Sequence, residues 1–97
     1  MGKLSEDDTT NRLQQLMGWV VDDGVLSKEF RFEDFTEAMK FMNSLVPLAE
    51  KLNHHPDWSN SYNKVLIKLT THSEGGLTDK DFTFAEAADK AAITISR

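Results

Sequence analysis

Between Asp34 and Asn53, apolar residues recur at steps of three and four: Phe35, Ala38, Met39, Met42, Leu45, Val46, Ala49 and Leu52. That spacing predicts one long amphipathic helix whose apolar stripe must be buried against another element. Asp34-Phe35-Thr36-Glu37 resembles a capping box in front of it, with aspartate in the cap position. Pro47 falls inside the pattern, where it removes one backbone donor and crowds the preceding turn at a cost of about 3 kcal/mol. The stripe stays in phase across it, so a kink near residues 43–47 is expected, not a break. Pro56 disfavours helical backbone angles at His55, so the helix should finish around His54. In 97 residues, 39% of them hydrophobic, there is room for a single modest core, and this helix is its centre.

The flanking segments supply what it packs on. Residues 1–8 read as a flexible tail, and 9–97 as the folded domain. Thr9 or Thr10 can cap a short helix carrying Leu13, Leu16 and Met17, with Gly18 just past its end. Trp19-Val20-Val21 and Val25 to Phe32 read as extended segments joined by Asp22-Asp23-Gly24, the chemistry of a tight hairpin. In the second of these, Leu26, Phe30 and Phe32 share one face and Ser27, Glu29 and Arg31 the other. Beyond Pro56, Trp58 to Thr71 reads as extended, with a bend at Tyr62-Asn63 and Val65, Ile67 and Leu69 alternating with polar residues. Thr78-Asp79-Lys80-Asp81 is a second capping signature, opening a last helix with Phe82, Ala85, Ala88 and Ala92 on its apolar side. The order α-β-β-α-β-β-α predicts a single α+β domain with helices packed on one face of an antiparallel sheet.

Charge and composition remove several function classes. Eleven Lys and Arg are scattered among sixteen Asp and Glu, for a net charge of -5, which argues against direct nucleic-acid binding. There is no cysteine, so neither a disulfide framework nor a thiolate metal site is expected, in keeping with a cytoplasmic protein. No apolar run approaches the roughly 18 residues of a membrane span, and Met1 to Thr10 has no secretory-signal pattern.

All three histidines fall between Glu50 and Asp81, in the order Glu50, His54-His55-Pro56, Trp58, Tyr62, His72, Asp81. Histidine is the side chain that exchanges protons most readily at neutral pH. His54 and His55 straddle the expected helix end, where neighbours can turn toward a common cavity; they can equally be a solvated helix end favoured by the dipole. As an acid and base pair they resist carrying two positive charges at once. Glu50 stands one helical turn before His54 and can pair with it; it can equally form an ordinary charged helix face with Lys51. His72 closes a strand, and Asp81 is the cap carboxylate of the last helix. Trp58, Tyr62 and Trp19 read as packing residues, with Trp19 and Trp58 also candidate pocket walls. A zinc site is disfavoured, because the His-Glu-x-x-His helix is missing and no convincing ligand spacing extends beyond Glu50 and His54.

The irregular spacing of Glu50, His54-His55-Pro56, Tyr62, His72 and Asp81 resembles the signature of the pterin-4a-carbinolamine dehydratases, known also as dimerisation cofactors of a homeodomain transcription factor. The likeness extends through Phe32-Glu33-Asp34-Phe35, Ala38, Phe41-Met42, Tyr62-Asn63-Lys64-Val65, Thr71-His72 and Gly76-Leu77, spanning residues 12–92. It implies three helices on a four-stranded antiparallel sheet, and dimers that pair into tetramers. The implied activity is dehydration of a 4a-hydroxytetrahydropterin to the quinonoid dihydropterin in tetrahydrobiopterin recycling, with no cofactor or metal. His54, His55 and His72 would then surround the pterin, with Glu50 and Asp81 supporting them. Substrate contacts would come from Asn53-His54-His55 and Thr70-Thr71-His72-Ser73. Lys80 stands where some relatives have arginine, and Asn53 where some have an acid. The resemblance also brings an alternative of another class: a protein-interaction module whose helical surface binds a transcription factor, with a nuclear location.

Overall fold

The computed structural model describes residues 2–96. Its elements in chain order are helix α1 (Glu6–Gln14), strands β1 (Val20–Asp22) and β2 (Val25–Arg31), helix α2 (Phe35–Leu52), strands β3 (Asp57–Ser61) and β4 (Lys64–Leu69), a 3-10 turn (His72–Glu74) and helix α3 (Asp79–Ser96). The four strands form one antiparallel sheet in the order β1-β2-β4-β3.

Each hairpin turn is set by local chemistry. Asp23 and Gly24 both take positive φ, the geometry that a two-residue turn between twisted strands needs. The bend expected at Tyr62-Asn63 is the tip of the β3–β4 hairpin and divides the extended stretch from Trp58 to Thr71 into the two strands expected there. Leu26 pairs with Leu69 and Phe30 with Val65, so the apolar sides of β2 and β4 coincide on the inner face. Asn63 extends the hold past the strand end, receiving the Phe32 N–H at its carbonyl and donating from its amide to the Phe32 carbonyl.

The inner face is covered by α2 and α3. Ala38, Phe41, Leu45 and Ala49 of α2 are buried, as are Phe82, Phe84, Ala85 and Ala88 of α3. Phe41 lies 4.8 Å from both Phe30 and Phe32, ring centre to ring centre, and has no exposed surface. Helix α2 begins with Asp34 accepting from the Glu37 N–H while Glu37 accepts from the Glu33 N–H. It runs through Pro47 without a break, with the proline on its exposed side. Asn43, whose carbonyl the proline leaves without its helical donor, is an exposed residue as well.

Two boundaries differ from expectation. Helix α1 starts at Glu6, not at Thr9 or Thr10, because Ser5 caps it by accepting from the Asp8 N–H. Glu6, Asp7 and Asp8 then occupy the first turn, where carboxylates favour the dipole. Helix α2 is stopped by Asn53 in the left-handed region, two residues before the proline restriction at His55 would act.

Candidate active site at the end of the central helix

The stop at Asn53 builds the site. With φ 49° and ψ 47°, Asn53 reverses the chain and lets the His54 N–H reach back to the Ala49 carbonyl at 3.0 Å. This turn directs His54 inward and His55 outward. His54 is buried, whereas the His55 side chain is 59% exposed. The partner of Glu50 differs from the pairing weighed from the sequence. Glu50 pairs with His55, Nε2 to Oε2 at 2.6 Å, and not with His54. The distance of one helical turn that suggested a Glu50–His54 pair applies only on a continuing helix, and Asn53 ends it.

His54 is met instead by Asp81, from the first turn of α3, with Nε2 to Oδ1 at 2.5 Å. Asp81 has no exposed surface. Its other oxygen, Oδ2, accepts from the Thr71 hydroxyl at 2.8 Å and from the Thr78 N–H at 2.9 Å. The Thr78 contact is the capping bond expected of Asp81, so one carboxylate serves the helix and the histidine at once. An ionised carboxylate only accepts, which places the proton of the pair on Nε2 of His54. Thr71 has spent its one hydroxyl hydrogen on Asp81, so in the 2.9 Å Thr71–Thr78 contact Thr78 donates. Nδ1 of His54 has no partner among the described residues, although every buried side-chain nitrogen and oxygen has one; it therefore faces the surface. The result is a histidine fixed in one tautomer with its second nitrogen free to take and return a proton.

The remaining residues divide around this centre. His72 and Ser73 are exposed on the short turn that follows Thr71, and this turn is closed by reciprocal backbone bonds between Thr71 and Gly76. A cleft of about 210 Å³ is lined by Thr71, Ser73, Glu74, Thr78 and Lys80. A larger hollow of about 590 Å³ lies elsewhere, between α1, the β1–β2 turn and Gly75 to Leu77. The smaller cleft is the one bounded by Thr71 and Thr78, the two residues that donate to Asp81. Trp58 is half-buried and meets Phe84 edge-on at 6.5 Å, one turn of α3 beyond Asp81.

Two candidates point away. Trp19 is in the core rather than a pocket wall: it is edge-on to Phe30, and its indole N–H is shared by the two oxygens of Asp89, 3.0 and 3.1 Å away. The Thr70 hydroxyl donates to the Gly24 carbonyl at 2.7 Å, tying β4 to the β1–β2 turn. One participant was not singled out from sequence. Thr78 looked like a helix cap and nothing more, and only the approach of Thr71 gives its hydroxyl a second role. Among the described residues, no three His, Asp or Glu side chains are gathered as metal ligands.

Comparison with known proteins adds the lineage. The family model described as pterin 4 alpha carbinolamine dehydratase matches residues 2–91. A Prochlorococcus marinus (strain NATL2A) protein provisionally named as a pterin-4-alpha-carbinolamine dehydratase is 54% identical over 87 residues, spanning 90% of this chain and 92% of its own. A protein of Sulfurisphaera tokodaii with the same provisional name is 43% identical over 90 residues, spanning 93% of this chain and 97% of its own. Among solved structures, a transcriptional coactivator/pterin dehydratase from Brucella melitensis superposes with a TM-score of 0.89 at 39% identity, covering 94% of this chain and 99% of that one.

Proposed function

The chain belongs to the pterin 4 alpha carbinolamine dehydratase family, and from that membership we propose that it converts a 4a-hydroxytetrahydropterin to the quinonoid dihydropterin and water. The C4a–O bond breaks while the N5 lone pair forms the C4a=N5 double bond. The departing hydroxide takes a proton from an acid, and the N5 proton goes to a base; nothing is oxidised or reduced. Such a reaction asks the protein for acid–base groups on a shaped surface. His54 exchanges the proton through Nδ1, and Asp81 holds Nε2–H and stabilises the imidazolium. His55 with Glu50, and His72 on its turn, assist departure of the hydroxyl and removal of the ring proton. Asn53, Ser73 and the backbone of Thr70 and Thr71 contribute the substrate surface.

The observation that carries this reading is the buried Asp81–His54 pair with its outward-facing Nδ1. The test is the ultraviolet-monitored disappearance of freshly generated 4a-hydroxytetrahydropterin with the parent, with His54→Ala and in buffer. Acceleration by the parent alone is expected, and a folded His54→Ala variant with parental turnover would remove His54 from the mechanism. Physiologically, the reaction fits recycling of tetrahydrobiopterin after an aromatic amino-acid hydroxylase.

A second reading concerns partners. Phe35 and Val46 are 48% and 45% exposed, and eleven residues apart they lie on the same outer stripe of α2 as Met39 and Met42. That stripe supports self-association to a dimer or tetramer, or a helical protein partner on the same surface. Light scattering on the parent and on Val46→Glu tests it: an oligomer that the charge dissociates is expected for self-association, and a parental monomer speaks against it.

A further inference from the structure

The Thr78–Thr71–Asp81 chain is more elaborate than helix capping needs. The Thr78 N–H on Asp81 Oδ2 already completes the cap. Thr71 comes from ten residues earlier, past the end of β4, to place a second donor on the same oxygen, and Thr78 donates in turn to Thr71. Thr71 and Thr78 are 9% and 2% exposed, so neither hydroxyl has water as its main partner. The loading of the carboxylate is therefore asymmetric: two donors on Oδ2 and the imidazole alone on Oδ1. Two fixed donors on one oxygen set the rotation of the carboxylate plane, and that rotation aims Oδ1 at Nε2. The Thr71–Gly76 backbone pair holds Thr71 in place.

We infer that Thr71 and Thr78 are positioning residues, whose hydroxyls orient Asp81 so that His54 keeps its proton on Nε2 and presents Nδ1 as the working nitrogen. The Thr71 hydroxyl hydrogen is accordingly not available to substrate. This rests on His54 being the proton-exchanging group of the proposed dehydratase.

The experiment compares the parent with Thr71→Val, Thr71→Ser and Thr78→Val by nitrogen-15 NMR of the His54 ring, which separates the protonated from the unprotonated nitrogen, and by steady-state kinetics. Thr71→Val keeps the shape and is expected to give a mixture of His54 tautomers. Its kcat should fall about tenfold with KM near parental, the size of one hydrogen bond to a charged group. Thr71→Ser restores the hydroxyl and is expected to restore both readouts. Thr78→Val leaves the Thr71–Asp81 bond but removes the donor behind it, for a loss of about threefold, and carries the test should Thr71→Val not fold. A folded Thr71→Val with one Nε2–H form and parental kcat overturns the inference, as does an unaltered Thr78→Val if Thr71→Val is not folded. Tautomer mixing in Thr71→Val of a protein whose parent shows no turnover upholds the positioning role and overturns the dehydratase reading instead.

Discussion

Asp81→Asn changes the chemistry of the buried pair with almost no change in volume, and the geometry says which way the new amide must turn. Two donors, the Thr71 hydroxyl and the Thr78 N–H, face one end of the side chain, and His54 Nε2 faces the other. If the amide oxygen faces His54, the NH₂ group meets the Thr78 N–H and loses that bond, and the Thr71 hydroxyl must turn round to accept. If the oxygen takes the Oδ2 position, both bonds survive and NH₂ faces Nε2. The second arrangement leaves no donor facing a donor, which decides for it, and NH₂ can only donate, so Nε2 must become the acceptor. His54 then carries its proton on Nδ1, the nitrogen that is to do the work. Neutral bonds replace charged ones, for a stability loss of about 1–3 kcal/mol, short of the 3–5 kcal/mol expected when a buried charge is left unpaired. Turnover should fall about a hundredfold to ten-thousandfold, the usual range for losing a general acid or base. Urea unfolding, nitrogen-15 NMR of the imidazole and the carbinolamine assay read the three quantities separately. A folded Asp81→Asn that keeps Nε2–H and parental kcat would refute the donor-count reasoning and the role given to Asp81 together.

Two further outcomes follow from the frame around the site. Phe41→Ala removes a ring with no exposed surface from between Phe30 and Phe32 and should cost about 3–5 kcal/mol in urea unfolding; a loss under about 1 kcal/mol would mean the core closes over the gap. Asn53→Val puts a β-branched residue at φ 49° and should destabilise by about 1–2 kcal/mol while Asn53→Gly stays near parental, measured the same way; equal stabilities would show that the left-handed stop is not what holds the histidines.

The core layout follows the alternation of Leu26 and Phe30 and of Val65, Ile67 and Leu69, matched in register across β2 and β4. The start of α1 is hidden from periodicity, because the apolar pattern begins only at Leu13 and a first turn of Glu6, Asp7 and Asp8 carries no apolar signal. Trp19 was ambiguous for a different reason. An indole is equally at home in a core or a pocket, and what settles it is Asp89, seventy residues away, accepting its N–H beside Lys28, which bonds the same carboxylate at 2.9 Å.

The sequence by itself determined what short-range rules control: the amphipathic stripe of α2 and its Asp34 cap, the Asp-Gly hairpin, the α-β-β-α-β-β-α order, and a histidine signature specific enough to mark the family. Only the tertiary structure decided which carboxylate serves which histidine. Glu50 and His54 are four residues apart and look paired on a helical wheel, but the left-handed Asn53 turns His54 into the interior, where Asp81 waits twenty-seven residues downstream with Thr71 and Thr78 already bound to it. A partner chosen by packing two helices and a strand end together is a property of the closed fold, since no local spacing encodes the distance between α2 and α3.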